Sequence, residues 1–399
     1  MKPNRQITRI SFKGATVLLL AGAIFFVFHS SCRTSTAEQS EYRTRKLELP
    51  TAKPLEAGEL SNLQAACKDW YDHFLARSPF NGGVLVAKGG NVIFEQYKGE
   101  ARLHTGVTLT DTTPLHIASV SKTFTAMAVL KLWEEGRLSL EDPLSKYFPA
   151  FTFPDITIRT LLNHRSGLPN YTGFMDESDW DKSVPLRNKD LLQYLITKKK
   201  TIPNWGRANR SFSYCNTNYA LLALLVEHIS GNTFADFMQQ RFFGPLEMKH
   251  TFVRTDSDSM RINPSYESNG SMIADNYMDK VYGDKNIYST PRDLFTWERA
   301  LRSNLLFKPE TLSAAYTGYS NEKPGRRNYG LGWRLLSFPE GGMMIYHNGW
   351  WHGNNASFLR LPEDEICIIA LGSRFTKSVY KTKDLVSIFN EKAAAEAEE

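Results

Sequence analysis

The hydrophobic and polar positions divide the chain into three zones. Near the start, residues 14–28 form an unbroken apolar run of 15 residues. Between residues 119 and 251 the apolar runs at 123–133, 158–163, 190–197, 220–229 and 234–243 read as helices. After Gly330 they shorten to 332–336, 343–346, 356–361 and 366–371 and read as strands. An earlier pair of strands, 82–87 and 92–97, is separated only by Lys88-Gly89-Gly90-Asn91. So short a turn requires antiparallel pairing.

Strands at both ends and helices in the middle predict an α+β fold. Its expected form is one antiparallel sheet flanked by helices, built from residues 59–118 and 280–392, with a mostly helical insertion at 119–279. Ser61 with Gln64 predicts a capping box that opens a helix running to about Leu75. Gly136 predicts the end of a helix opened by Ser119. Thr290 as cap with Pro291 in first position starts another, and a final helix is expected at 380–395. Residues 32–58, polar and Pro-containing, read as a tether ahead of a body at 59–392, and 393–399 as a charged tail.

Composition changes this picture little, at 42% hydrophobic and 23% charged residues. The net charge of +6 overstates the basicity of the body. Lys2, Arg5, Arg9 and Lys13 precede the first apolar run, and without them 44 basic residues face 42 acidic ones. A nearly neutral body gives no reason to expect nucleic acid as a partner.

The basic start and the apolar run, short of the roughly 20 residues of a membrane span, read as a secretory signal over residues 1–31. It ends in Ser30-Ser31-Cys32, similar to a bacterial lipoprotein cleavage site, which makes Cys32 a candidate for lipidation. Ordinary cleavage nearby and an uncleaved anchor are the alternatives. All three place the body outside the cytoplasm, in the periplasm or cell envelope, and the first and last attach it to a membrane. Cys67, Cys215 and Cys367 have no metal-ligand spacing, and Cys67 and Cys367 are expected as buried thiols.

The candidate chemistry begins at Ser119-Val120-Ser121-Lys122, where the apolar run 123–133 opens. Residues three apart share a helix face, about 4.5 Å along the axis, so the Lys122 amine can reach the Ser119 hydroxyl. A base then sits beside a nucleophile, provided burial or nearby positive charge keeps the amine neutral. The bare Ser-x-x-Lys pattern recurs at Ser320 and Ser378, but in polar stretches. Tyr214-Cys215-Asn216 lies just before the run 220–229; its phenol can relay a proton, and its amide can hold the lysine and a substrate carbonyl. His347-Asn348-Gly349 ends an apolar strand and is followed by Trp350-Trp351. Gly349 allows close approach to the strand edge, and the N–H of Trp350 is a candidate second oxyanion donor beside that of Ser119.

Ser119-x-x-Lys122, Tyr214-x-Asn216 and His347-x-Gly349, in that order and widely spaced, resemble the class C β-lactamase superfamily, with its D,D-peptidases and family VIII esterases. The stretches 117–122, 161–169, 212–219, 283–290 and 346–350 are similar too. The resemblance implies Ser119 as acylated nucleophile, Lys122 and Tyr214 as a shared base system, Asn216 as substrate clamp, and no metal or cofactor. It implies hydrolysis of an amide or ester bond through an acyl-enzyme, on a small-molecule or peptide substrate. Where many β-lactamases carry Lys-Thr-Gly, His347-Asn348-Gly349 replaces a permanent cation by a group that titrates near neutrality. A substrate carboxylate is then expected to be held less firmly as pH rises. With Trp350 and Trp351 beside the strand, peptidase or esterase action is expected ahead of efficient β-lactam hydrolysis. The alternative is a penicillin-binding or sensor protein that acylates slowly or not at all.

Overall fold

The hairpin expected at residues 82–97 is formed by β1 (Gly82–Lys88) and β2 (Asn91–Lys98), turning through Gly89 and Gly90, both at positive φ. This is a computed structural model and describes residues 46–202, 206–339 and 341–389. The proposed signal over residues 1–31, Cys32 and the tail at 393–399 lie outside the described residues. The described residues from Leu47 onward form one compact unit.

Three short strands follow: β3 (Leu115–His116), β4 (Phe252–Val253) and β5 (Ser265–Tyr266). Next come β6 (Met272–Ile273) and β7 (Ile287–Ser289), and then the C-terminal set. That set is β8 (Arg327–Tyr329), β9 (Arg334–Ser337), β10 (Met343–Trp351), β11 (Asn354–Leu361) and β12 (Ile366–Gly372). The main sheet has seven antiparallel strands in the order β2-β1-β12-β11-β10-β9-β8. It joins the two ends of the body, as Gly82 opposite Gly372 shows.

Side chains alternate between the two faces of a strand, and here both faces are covered. On β1 and β12, Val84, Val86, Ile366 and Ile368 enter one core with α1 (Ala57–Phe74). Leu85, Ala87, Cys367 and Ile369 enter the larger core with α2 (Ser121–Glu134), α3 (Asn216–Ser230) and α4 (Pro291–Arg302). Burial on both sides explains why these strands read as continuous apolar runs. In α2, 11 of 14 residues are buried, so it runs through the interior. Thr290 caps α4 by accepting the Asp293 N–H at 3.1 Å, with Pro291 first in the helix.

Four boundaries differ from expectation. Helix α1 starts at Ala57 behind Glu56, which puts Ser61 and Gln64 inside it rather than at a cap. Part of the expected tether lies along the body: the Leu47 N–H donates to Pro245 O at 2.9 Å and that of Lys53 to Gly89 O at 2.8 Å. The insertion is interrupted by β4, β5 and β6, strands of two residues each, too short for a visible period. Among the described residues the C-terminal segment is a 3₁₀ helix over Lys377–Leu385 followed by α-helix at Val386–Phe389.

Candidate active site

Ser119 lies not in the first turn of α2 but in a 3₁₀ turn just before it. Ala118–Val120 form a 3₁₀ turn and α2 begins at Ser121. Ala118 adopts φ +47, a left-handed conformation that L residues avoid. Its N–H donates to His116 Nδ1 at 3.1 Å, and His116 Nε2 pairs with Asn286 Oδ1 at 3.0 Å. Because Nδ1 accepts, Nε2 carries the proton. Burial lowers the His116 pKa to about 4, which keeps this acceptor neutral. From the other side, β10 presses Gly349 against the turn, where a Cβ would lie 2.5 Å from Ile117 O and 2.9 Å from Ser119 N.

Lys122, one turn into the interior, is fully buried. Its Nζ lies 3.0 Å from Ser119 Oγ and donates to Asp284 O at 2.8 Å. Among the described residues no carboxylate pairs with it in an ion bridge. Nζ also lies 5.0 Å from the centre of the Tyr214 ring. The Tyr214 hydroxyl makes no hydrogen bond to Ser119 or Lys122 among the described residues, so the phenol is placed by its neighbours.

Those neighbours centre on His164, another residue at positive φ. His164 O accepts the Ser213 N–H at 2.9 Å and His164 Nδ1 accepts the Cys215 N–H at 3.1 Å, which clamps the backbone on both sides of Tyr214. The two rings lie 4.4 Å apart. Burial holds His164 well below the usual histidine range. Immediately afterwards α3 begins at Asn216, whose N–H donates to Asn170 Oδ1 at 3.0 Å. Asn216 makes no hydrogen bond to Lys122; the lysine is held by Asp284.

Ser119, Tyr214, Asn216, Asn348, Gly349 and Trp350 all line one cleft of about 760 Å³. Lys122 lies behind Ser119. Trp350, 64% exposed, packs 5.9 Å from Phe375 and adds aromatic surface to the wall. Asn348 Oδ1 accepts from Ser357 Oγ at 3.1 Å, and Tyr380 donates to Gly349 O at 2.8 Å.

His347 is not brought into the cleft. It is fully buried, with Nδ1 donating to Asn348 O at 2.7 Å and Nε2 accepting from the Tyr329 hydroxyl at 3.2 Å. Burial first, then Arg334, push its pKa well below the usual value. The expected loss of carboxylate binding as His347 deprotonates therefore has no basis: the ring is already neutral and faces away.

His116, His164 and His347 are all held neutral in the fold, while in the unfolded chain each takes up a proton below about pH 6.5. Stability then rises with pH across that window and is lost as pH falls, by about 1.4 kcal/mol per pH unit for each ring. The urea midpoint should drop as pH falls from about 6.5 to about 5. In His347→Asn the drop should be shallower by one proton. An unchanged slope would show that His347 titrates freely in the native protein.

Arg334, at the start of β9, escaped the sequence reading and lines the cleft with Ser119. Its guanidinium lies 5.2 Å from the centre of the Tyr214 ring and forms no ion pair among the described residues. A lone Arg on a short strand carries no signal of such a place. Asp284 was legible as part of the stretch 283–290, but its contribution is a backbone carbonyl, which residue identity does not announce.

The family model for Beta-lactamase matches residues 68–390. Penicillin-binding protein 4* of Bacillus subtilis (strain 168) is 30% identical over 318 residues, covering 76% of this chain and 70% of that protein. Teichoic acid D-alanine hydrolase of Staphylococcus aureus (strain NCTC 8325 / PS 47) is 28% identical over 266 residues, covering 65% of this chain and 64% of that protein. The penicillin binding protein of Bacillus halodurans superposes with a TM-score of 0.68 at 23% identity, over 82% of this chain and 98% of its own. The octameric penicillin-binding protein homologue of Pyrococcus abyssi gives 0.69 at 21% identity, over 86% and 79%. These likenesses show the same fold.

Proposed function

We infer the activity of this chain from one premise: the chain belongs to the beta-lactamase family. It is a serine hydrolase acting on ester or amide bonds. We propose the following reaction at the cleft. Ser119 Oγ attacks the substrate carbonyl carbon as its proton passes to Lys122 Nζ in its neutral amine form. The N–H groups of Ser119 and Trp350 face the oxygen that becomes negative. When the tetrahedral adduct collapses, the proton returns through Tyr214 to the departing nitrogen or oxygen, leaving an ester of Ser119. Water then attacks that ester, its proton restores the serine hydroxyl, and the free acid departs. Asn216 positions the acyl group.

The observation that carries this reading is the fully buried Lys122 amine at 3.0 Å from the Oγ of Ser119, which itself lines an open cleft. Arg334 supports an anionic leaving group, because it stands beside the phenol assigned to protonate that group. Trp350 and Phe375 favour an uncharged acyl portion. We therefore propose peptides or esters of D-amino acids as substrates, with β-lactams as slowly released acylating agents. The names of two relatives, a penicillin-binding protein and a teichoic acid D-alanine hydrolase, agree with this choice. A sensor that merely binds penicillin is not favoured.

Fluorescent penicillin should form a covalent adduct whose labelled peptide, read by mass spectrometry, contains Ser119. Ser119→Ala should take no label and lose p-nitrophenyl ester turnover. A label that survives the substitution would refute the nucleophile.

We also propose an exported body in the cell envelope, on the strength of residues 1–31 and Cys32. Among the described residues no helix is long and apolar enough to cross a membrane.

A further inference from the structure

Arg334 lines the cleft and also a second groove, of about 710 Å³, which continues past it between the loop at residues 211–212 and the segment 320–329 that ends in β8. Lys323, Arg327 and Arg334 put three cations along this groove. The acid among its lining residues, Glu322, is bonded to the guanidinium of Arg165, so its charge is already answered. Lys323 and Arg327 are exposed and form no ion pair among the described residues. Arg327 is on β8 and Arg334 on β9, adjoining strands of the sheet edge. Burial first, then Arg327 and Arg334, lowers the pKa of Lys383, so the positive field of this edge reaches beyond the groove.

Like charges held together in this way repel one another in the empty protein. An anionic chain would relieve that repulsion. The groove and the cleft share Arg334, 5.2 Å from the centre of the Tyr214 ring, and Tyr214 is the group that gives the leaving portion its proton in the reaction above.

We propose that this groove binds a multiply anionic extension of the substrate's leaving portion, running away from the scissile bond past Arg334. The shared chemistry is a row of carboxylates or phosphates spaced along a flexible chain, as in an acidic peptide or a polyol phosphate. The inference rests on the proposed reaction, because that reaction assigns the leaving side.

The test uses one acyl group, N-acetyl-D-alanyl, on a series of alcohols: lactamide, lactate, lactate extended by three glutamates, and a glycerol phosphate trimer. The full chain should hydrolyse the two extended esters with a kcat/KM about tenfold above that of the lactate ester at low salt, an advantage that about 0.5 M salt removes. The double variant Lys323→Gln/Arg327→Gln should lose the same advantage. A gain confined to the carboxylate chain identifies an acidic peptide, and a gain confined to the phosphate chain a polyol phosphate; each supports the groove. Equal kcat/KM for lactate and both extended esters overturns it, as does an advantage that survives the double substitution. Hydrolysis of the lactamide ester by wild type and its loss in Ser119→Ala report separately on the reaction, so the groove can fail while the reaction stands.

Discussion

Lys122→Met should lower kcat/KM for any ester substrate by about 10²- to 10⁴-fold, the usual size of a lost general base. Methionine has nearly the length and volume of lysine and no charge, so it suits a fully buried site. The fold should survive. The cost to stability is the unanswered Asp284 carbonyl, which now accepts from Nζ at 2.8 Å, and amounts to about 1–3 kcal/mol. Activity should disappear in a protein that still unfolds cooperatively. Stopped-flow acylation by fluorescent penicillin isolates the step concerned, because it does not depend on release of the acyl group. Acylation within tenfold of wild type would mean that another group removes the serine proton.

Substituting one glycine should do nearly as much damage without touching a reacting group. In Gly349→Ala, the new Cβ would lie 2.5 Å from Ile117 O, 2.9 Å from Ser119 N and 3.0 Å from Ala118 Cβ. None of these is the flexible end of a side chain, so β10 and the 3₁₀ turn must separate. A displacement approaching 1 Å between nucleophile and oxyanion donors costs about 100-fold in rate. The strain costs about 1–3 kcal/mol in stability. We expect kcat/KM to fall about 100-fold with the loss mainly in kcat, measured well below the unfolding temperature. Wild-type turnover would show that the turn yields without moving Ser119.

Much of this architecture was legible because its signals are local or periodic. Gly89-Gly90 forced the first hairpin, Thr290-Pro291 capped α4, and the unbroken apolar run after Lys122 belongs to a helix buried along most of its surface. The Ser61/Gln64 pair misled because the same letters fit the interior of a helix once Ala57 has started it. The site divides in the same way. Ser119 and Lys122 lie one turn apart, and their spacing fixes their contact. His347 was misplaced because strand position alone does not say whether a ring faces the cleft or the Tyr329 hydroxyl behind it. His164 was visible only as part of the stretch 161–169. Its grip on the backbone around Tyr214 depends on a fold that brings residues 164 and 215 together.

The pairing of Gly82 with Gly372 bears on when the enzyme comes into being during synthesis. A ribosome releases the first hairpin hundreds of residues before its neighbour β12 exists, and such distant closures are slow to form. The turn that carries Ser119 is braced by His116 on one side and by β10 on the other, so a half-made chain holds its nucleophile from one side alone. Whatever acyl groups surround the nascent polypeptide, it can begin to cleave them only after β10 has emerged and closed over the turn.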